Sequence, residues 1–99
     1  MEEALLFQTS TQDEQAQINK IIKSFDVVMF SKSWCPFCTK AKKLFEKGGV
    51  QCKSIEMDLM ANGHKLHEAL KQVSGQETVP NIYVGGRYIG GYDDMLAKI

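Results

Sequence analysis

The sequence has no long apolar run, no basic leader and no excess of either charge, and each absence removes a class of function. Twelve basic and twelve acidic residues cancel over 99 residues, so nothing global argues for nucleic acid or a charged membrane surface as a partner. No apolar run approaches the roughly 20 residues that span a bilayer. The first apolar stretch, Ala4–Phe7, is short and follows Glu2 and Glu3 rather than a basic segment, so it does not read as a secretory signal. Three cysteines, Cys35, Cys38 and Cys52, are too few and odd in number for a secreted disulfide framework. A lasting bridge is not expected in a reducing cytosol, and the chain is placed in the cytoplasm. Repeats, low-complexity tracts and linkers are also missing.

What is present is an ordinary globular composition, 43% hydrophobic, enough for one domain with one modest core. Residues 1–10 read as a loose extension and 11–99 as the domain. Thr11-Gln-Asp-Glu14 fits a capping box, and Ile18, Ile21, Ile22 and Phe25 share a helical face, so the spacing predicts a helix over 12–24. Val27–Ser31 is a continuous apolar run, the pattern of a strand buried on both faces. A helix after Pro36 buries Ala41, Leu44 and Phe45 and stops at Gly48-Gly49. Gln51–Met57 reads as a strand. Leu59, Leu66, Leu70 and Val73 mark a third helix ending at Gly75. Asn81–Val84, Gly85-Gly86 and Arg87–Ile89 read as a hairpin, followed by a short helix from about Asp93. The order α-β-α-β-α-β-β-α predicts an α/β fold: a four-stranded mixed sheet flanked by helices, its first two strands parallel and its last two antiparallel.

The chemistry lies in Lys32-Ser-Trp-Cys-Pro-Phe-Cys38. Two cysteines at this spacing can be a disulfide staple, a pair of metal ligands, or a reactive thiol with its partner. Position favours the third. Cys35 falls where a buried strand gives way to a helix, so unpaired backbone N–H groups and the positive end of the helix dipole face its sulfur. Pro36 suits the first helical position. Lys32 adds a cation, and Lys40, Lys42, Lys43 and Lys47 stand against Glu46 alone on the segment 32–47. Each feature favours thiolate over thiol at Cys35. Cys38, one turn into the helix and better buried, is expected to hold its proton more tightly. His64 and His67 do not have the spacing of a zinc finger, and no metal ligand is assigned. Cys52 reads as a buried, inert thiol.

Four stretches together resemble a glutaredoxin of the dithiol class: Lys32 with Cys35-Pro-Phe-Cys38, Thr78-Val-Pro80, Gly90-Gly91 and Asp93-Asp94. The resemblance covers about residues 14–99 and implies the thioredoxin fold, with Pro80 in cis opposite the cysteines. It implies a glutathione-dependent thiol–disulfide oxidoreductase, with Cys35 and Cys38 catalytic. No tightly bound cofactor is implied, and glutathione serves as co-substrate. The implied glutathione-binding residues are Lys32, Phe37, His67, Thr78, Val79, Pro80, Gly91, Tyr92, Asp93 and Asp94. Lys32 would attract the glycine carboxylate, and Val79 would pair its backbone with the cysteinyl residue. The helix start at Gly91-Tyr92-Asp93 would take the γ-glutamyl carboxylate. Asp93 or Asp94 would take the ammonium, alongside ordinary helix capping.

The departures from the family pattern carry expectations too. His67 stands where Gln or Arg is frequent, so glutathione affinity is expected to fall as the pH rises. Glu77 replaces a common base, and Tyr92 replaces a smaller residue and narrows the site. Trp34, directly before Cys35, is similar to thioredoxin's pattern and is expected to be exposed beside the pocket. The resemblance implies a monomer acting on glutathionylated or disulfide-containing proteins, with neither nucleic acid nor membrane as partner. Two rivals stand beside it. One is a thioredoxin-like reductase that does not use glutathione. The other is a dimer holding a [2Fe–2S] cluster between two Cys35 thiolates and two glutathiones, which Pro36 is expected to hinder by stiffening the loop.

Overall fold

The computed structural model describes the backbone of residues 2–98 and the side chains of residues 12–98. The elements run α1 (Glu2–Ser24), β1 (Val27–Ser31), α2 (Pro36–Lys47), β2 (Lys53–Glu56), a 3₁₀ turn (Met57–Leu59), α3 (Gly63–Ser74), β3 (Asn81–Val84), β4 (Arg87–Gly90) and α4 (Tyr92–Lys98). The helical backbone begins at Glu2 rather than near residue 12. The expected extension over 1–10 and the Thr11 cap lie outside the residues whose side chains are described.

The sheet order is β2-β1-β3-β4. β1 pairs in parallel with β2, Ser31 opposite Glu56, and antiparallel with β3. β3 and β4 form the hairpin. Its two-residue turn needs positive φ at both central positions, and only glycine adopts these without strain, hence Gly85 at 59° and Gly86 at 80°. A right-handed crossover through α2 is the ordinary way to join parallel neighbours. That crossover carries the helix start at Cys35 to the end of a central strand.

All five residues of β1 are buried, because helices cover both faces of the sheet. One face packs Val28, Phe30 and Tyr83 under Ile18 and Ile22 of α1 and Leu66, Ala69 and Leu70 of α3. The other packs Met29 and Ile82 under Ala41 of α2 and Met95 of α4. Burying side chains of this kind contributes roughly 1.5–3 kcal/mol each. Among the described residues no helix is long and apolar enough to cross a membrane.

Several sequence expectations fail, because apolar spacing shows neither where an element ends nor which of its faces is covered. Phe25 lies beyond α1, is exposed, and carries Lys53 Nζ 5.3 Å above its ring. Leu59 belongs to the 3₁₀ turn, not α3, and is exposed, as is Val73. Cys52 precedes β2 and is only half-buried, beside the Met29 layer.

Candidate active site

The site begins at the C-terminal end of β1. Cys35 is the N-cap of α2, with φ −79° and ψ 119°, and Pro36 opens the helix. The Cys35 sulfur accepts the Cys38 backbone N–H at 3.3 Å, one of the donors a helix start leaves unpaired. Two further bonds fix the cap: Cys35 N–H donates to the Lys32 carbonyl at 3.0 Å, and Thr39 N–H donates to the Cys35 carbonyl at 3.1 Å. Across the site the Val79–Pro80 peptide is cis, and the Val79 carbonyl accepts from the Cys35 thiol at 3.8 Å. The loop before a cis proline and a helix start thus meet at one sulfur.

Cys35, Cys38 and Cys52 are free thiols. Burial, together with the neighbouring Cys35 sulfur, pushes the Cys38 thiol from an ordinary 9.0 up to about 11. Burial likewise pushes Cys52 up to about 11, with Lys42 opposing it. A thiol that holds its proton more tightly when folded stabilises the protein fully below its unfolded pKa. That stability is lost as the pH rises through the folded pKa. The urea midpoint of the reduced protein is therefore expected to fall between about pH 9 and about pH 11. Cys52→Ser should flatten part of that fall, and a midpoint constant across the window would contradict both assignments.

The expected binding residues separate into two groups. Phe37, Thr78, Val79, Pro80, Gly91, Tyr92, Asp93 and Asp94 line one cleft. Lys32 and His67 line a second, with Trp34, Asp58 and His64. In the first cleft the Phe37 and Tyr92 rings meet at 5.7 Å and 47°, so the tyrosine forms a wall against Phe37. Gly91 N–H donates to Asp94 Oδ2 at 3.0 Å. Asp94 sits at the third position of α4, so this is the return half of a capping box. Asp93 is exposed. In the second cleft His67 Nε2 donates to the Glu77 carbonyl at 2.6 Å, leaving Nδ1 as the ring nitrogen available to a ligand. Lys32 Nζ lies 5.7 Å from the centre of the exposed Trp34 ring. Among the described residues no three His, Cys, Asp or Glu side chains converge as a metal site.

Two positioning residues escaped the sequence reading. Gln76 Nε2 donates to the Thr78 carbonyl at 2.7 Å and to the Pro80 carbonyl at 2.9 Å. Its Oε1 accepts from the Tyr88 hydroxyl. One side chain thereby ties the loop facing Cys35 to β4. Asp58 accepts the Ser33 backbone N–H at 2.9 Å and the Ser33 hydroxyl, pinning the loop that leads into Cys35. These bonds, the hydroxyl first, hold the exposed Asp58 carboxyl below its ordinary range. Both contacts depend on loop geometry, which no spacing along the sequence announces.

Comparison with known proteins agrees with this geometry. A family model described as Glutaredoxin matches residues 27–89. Glutaredoxin-C6 of Oryza sativa subsp. japonica is 48% identical over 82 residues, covering 83% of this chain and 73% of that protein. A crystal structure of a buckwheat glutaredoxin–glutathione complex superposes with a TM-score of 0.89 at 36% identity, covering 91% of this chain and 82% of the other. The holo form of glutaredoxin C1 from Populus tremula x tremuloides superposes with a TM-score of 0.84 at 35% identity, over 87% and 85% of the two chains. By the family match over most of its length, the shared fold and the paired thiols at the start of α2, the chain belongs to the glutaredoxin family of thioredoxin-fold thiol–disulfide oxidoreductases.

Proposed function

We propose that the protein reduces protein–glutathione mixed disulfides, and some protein disulfides, through Cys35 and Cys38. The observation that carries this reading is the Cys35 sulfur, capped by the Cys38 N–H at 3.3 Å and facing the Val79 carbonyl at 3.8 Å. The first contact aims a backbone N–H at the sulfur that attacks. The second places backbone beside the sulfur, against which the backbone of a peptide substrate can pair. The buckwheat relative was crystallised with glutathione, which supports the same ligand here.

In the proposed cycle Cys35 attacks the glutathione sulfur of a mixed disulfide, and the protein thiolate leaves. A second glutathione attacks the sulfur held on Cys35, releasing glutathione disulfide. With a protein disulfide, Cys38 attacks the Cys35 sulfur instead and frees the target. Glutathione then reduces the Cys35–Cys38 bond. The same Cys35 sulfur is the leaving group in the second half. The setting is a monomer in the cytoplasm, where glutathione is plentiful and reduced.

The two clefts supply a division of labour for the tripeptide. Lys32 would meet the glycine carboxylate on one side. The α4 start and Asp93 would meet the γ-glutamyl end on the other, Asp94 being engaged in its cap. The experiment is a coupled assay with glutathione, glutathione reductase and a small glutathione mixed disulfide, in which the wild type should turn over. Gln76→Ala should raise the KM for the mixed disulfide about tenfold, because two carbonyls of the facing loop lose their donor. An unchanged KM would remove Gln76 from the site.

A further inference from the structure

The loop that faces Cys35 is braced from the core through a side chain that the cycle above does not use. Tyr88 stands on β4 opposite its register partner Tyr83. Their rings lie 5.6 Å apart with planes at 56°, and Tyr83 is buried. Tyr83 in turn meets the buried Phe30 edge-on, at 6.0 Å and 83°. Phe30 belongs to β1, the strand that leads to Cys35. A row of three rings therefore crosses the sheet from a central strand to the edge strand β4. Packed aromatic pairs of this kind hold their geometry.

At the end of the row the Tyr88 hydroxyl donates to Gln76 Oε1. Burial first, and Asp94 second, raise the Tyr88 phenol above its usual range, so it keeps its proton at neutral pH. At the other end of the same amide, Nε2 donates to the Thr78 carbonyl at 2.7 Å and to the Pro80 carbonyl at 2.9 Å. The two carbonyls dictate which end of the amide faces the loop, since turning it would set Oε1 against two oxygens. Tyr88 holds the far end. The Gln76 backbone is fixed as well: its N–H donates to Ser74 Oγ at 3.1 Å. That oxygen also accepts from Asn81 Nδ2 at 2.9 Å, so both ends of the loop are tied to one hydroxyl. Gln76 lines the cleft beside Thr78, Val79 and Pro80, whereas Tyr88 stands outside its lining.

We propose that Tyr88 is a positioning residue for the glutathione moiety of the substrate, acting through Gln76 to hold the Thr78–Pro80 backbone in place. The inference rests on the mixed-disulfide reading. Tyr88 touches neither the reacting sulfurs nor the substrate. Its hydroxyl holds the Gln76 amide between β4 and the loop. The amide holds the carbonyls on either side of Val79, whose own carbonyl faces the Cys35 sulfur. Because Tyr88 acts on where the substrate lies, its loss should weaken binding and spare the chemical step.

The test is a double-mutant cycle in the coupled assay, with KM and kcat for the small glutathione mixed disulfide determined separately. Tyr88→Phe keeps the ring on Tyr83 and removes only the hydroxyl. It should raise KM about fourfold and leave kcat within about 1.5-fold. Gln76→Glu keeps an acceptor for Tyr88 and loses both donors to the loop, so its KM should rise about tenfold or more. Tyr88→Phe added to Gln76→Ala should change KM by less than about 1.5-fold, because the hydroxyl then has nothing to act through. If Gln76→Ala does not fold, the cycle is run on Gln76→Glu, which lacks the same donors.

An unchanged KM in Tyr88→Phe, a loss confined to kcat, or a fourfold rise that persists without the Gln76 amide would overturn the inference. A wild type inactive in the coupled assay would sink the mixed-disulfide reading itself, and the positioning role with it.

Discussion

Cys35→Ser should abolish both reductions, lowering turnover on the order of a thousandfold or more. Cys38→Ser should retain mixed-disulfide turnover within a few-fold and lose protein-disulfide reduction by about a hundredfold. The asymmetry follows from where the two sulfurs sit. Cys35 caps the helix and receives a backbone N–H, so replacing sulfur by a hydroxyl keeps the cap and removes the nucleophile. Cys38 is sealed in the core and holds its proton to about 11, so it enters only when presented with a disulfide on its neighbour. Steady-state assays with a small mixed disulfide and with a protein disulfide check both statements. Substantial turnover by Cys35→Ser would remove the assignment, and equal loss in both assays for Cys38→Ser would remove the division of roles.

Gly63→Ala should lower stability by about 3 kcal/mol. Gly63 opens α3, and a Cβ there would stand 1.9 Å from the Met57 carbonyl oxygen. That oxygen belongs to backbone at the start of the 3₁₀ turn, and Met57 is itself buried, so neither side yields by rotating a side chain. The strain would spread to the cleft holding Lys32 and His67, which Gly63 also lines. Gly48→Ala is the control. Its nearest contact would be an ordinary 3.5 Å, so its effect should stay within about 0.5 kcal/mol. Urea unfolding of both variants decides the matter, and equal midpoints would contradict the packing described.

The parts of this fold that could be read from the sequence are those governed by neighbours along the chain. The apolar run Val27–Ser31, Pro36 behind Cys35, and Gly85-Gly86 between two short strands each obey a local rule, and each element stands where those rules put it. Phe25, Leu59 and Val73 show where periodicity misleads. An apolar residue at helical spacing is counted as core whether or not the helix reaches it, as with Phe25 and Leu59, or whether or not anything covers its face, as with Val73, and all three are exposed. The site was legible to the same degree. The sulfur at the helix start is a local feature. The loop tie through Gln76 and the Asp58 pin under Ser33 join residues brought together by loops or by neighbouring strands, and no spacing announces them. Nor could spacing show that the structure separates Lys32 and His67 from the other binding residues, or that His67 spends one ring nitrogen on Glu77.

The central claim is that one sulfur in three is poised to react because a helix begins at it. Brief treatment of the reduced protein with iodoacetamide at pH 7, followed by peptide mapping, tests this directly. Label should accumulate on Cys35 well before Cys38 or Cys52. Labelling of Cys38 or Cys52 as fast as Cys35 would contradict it.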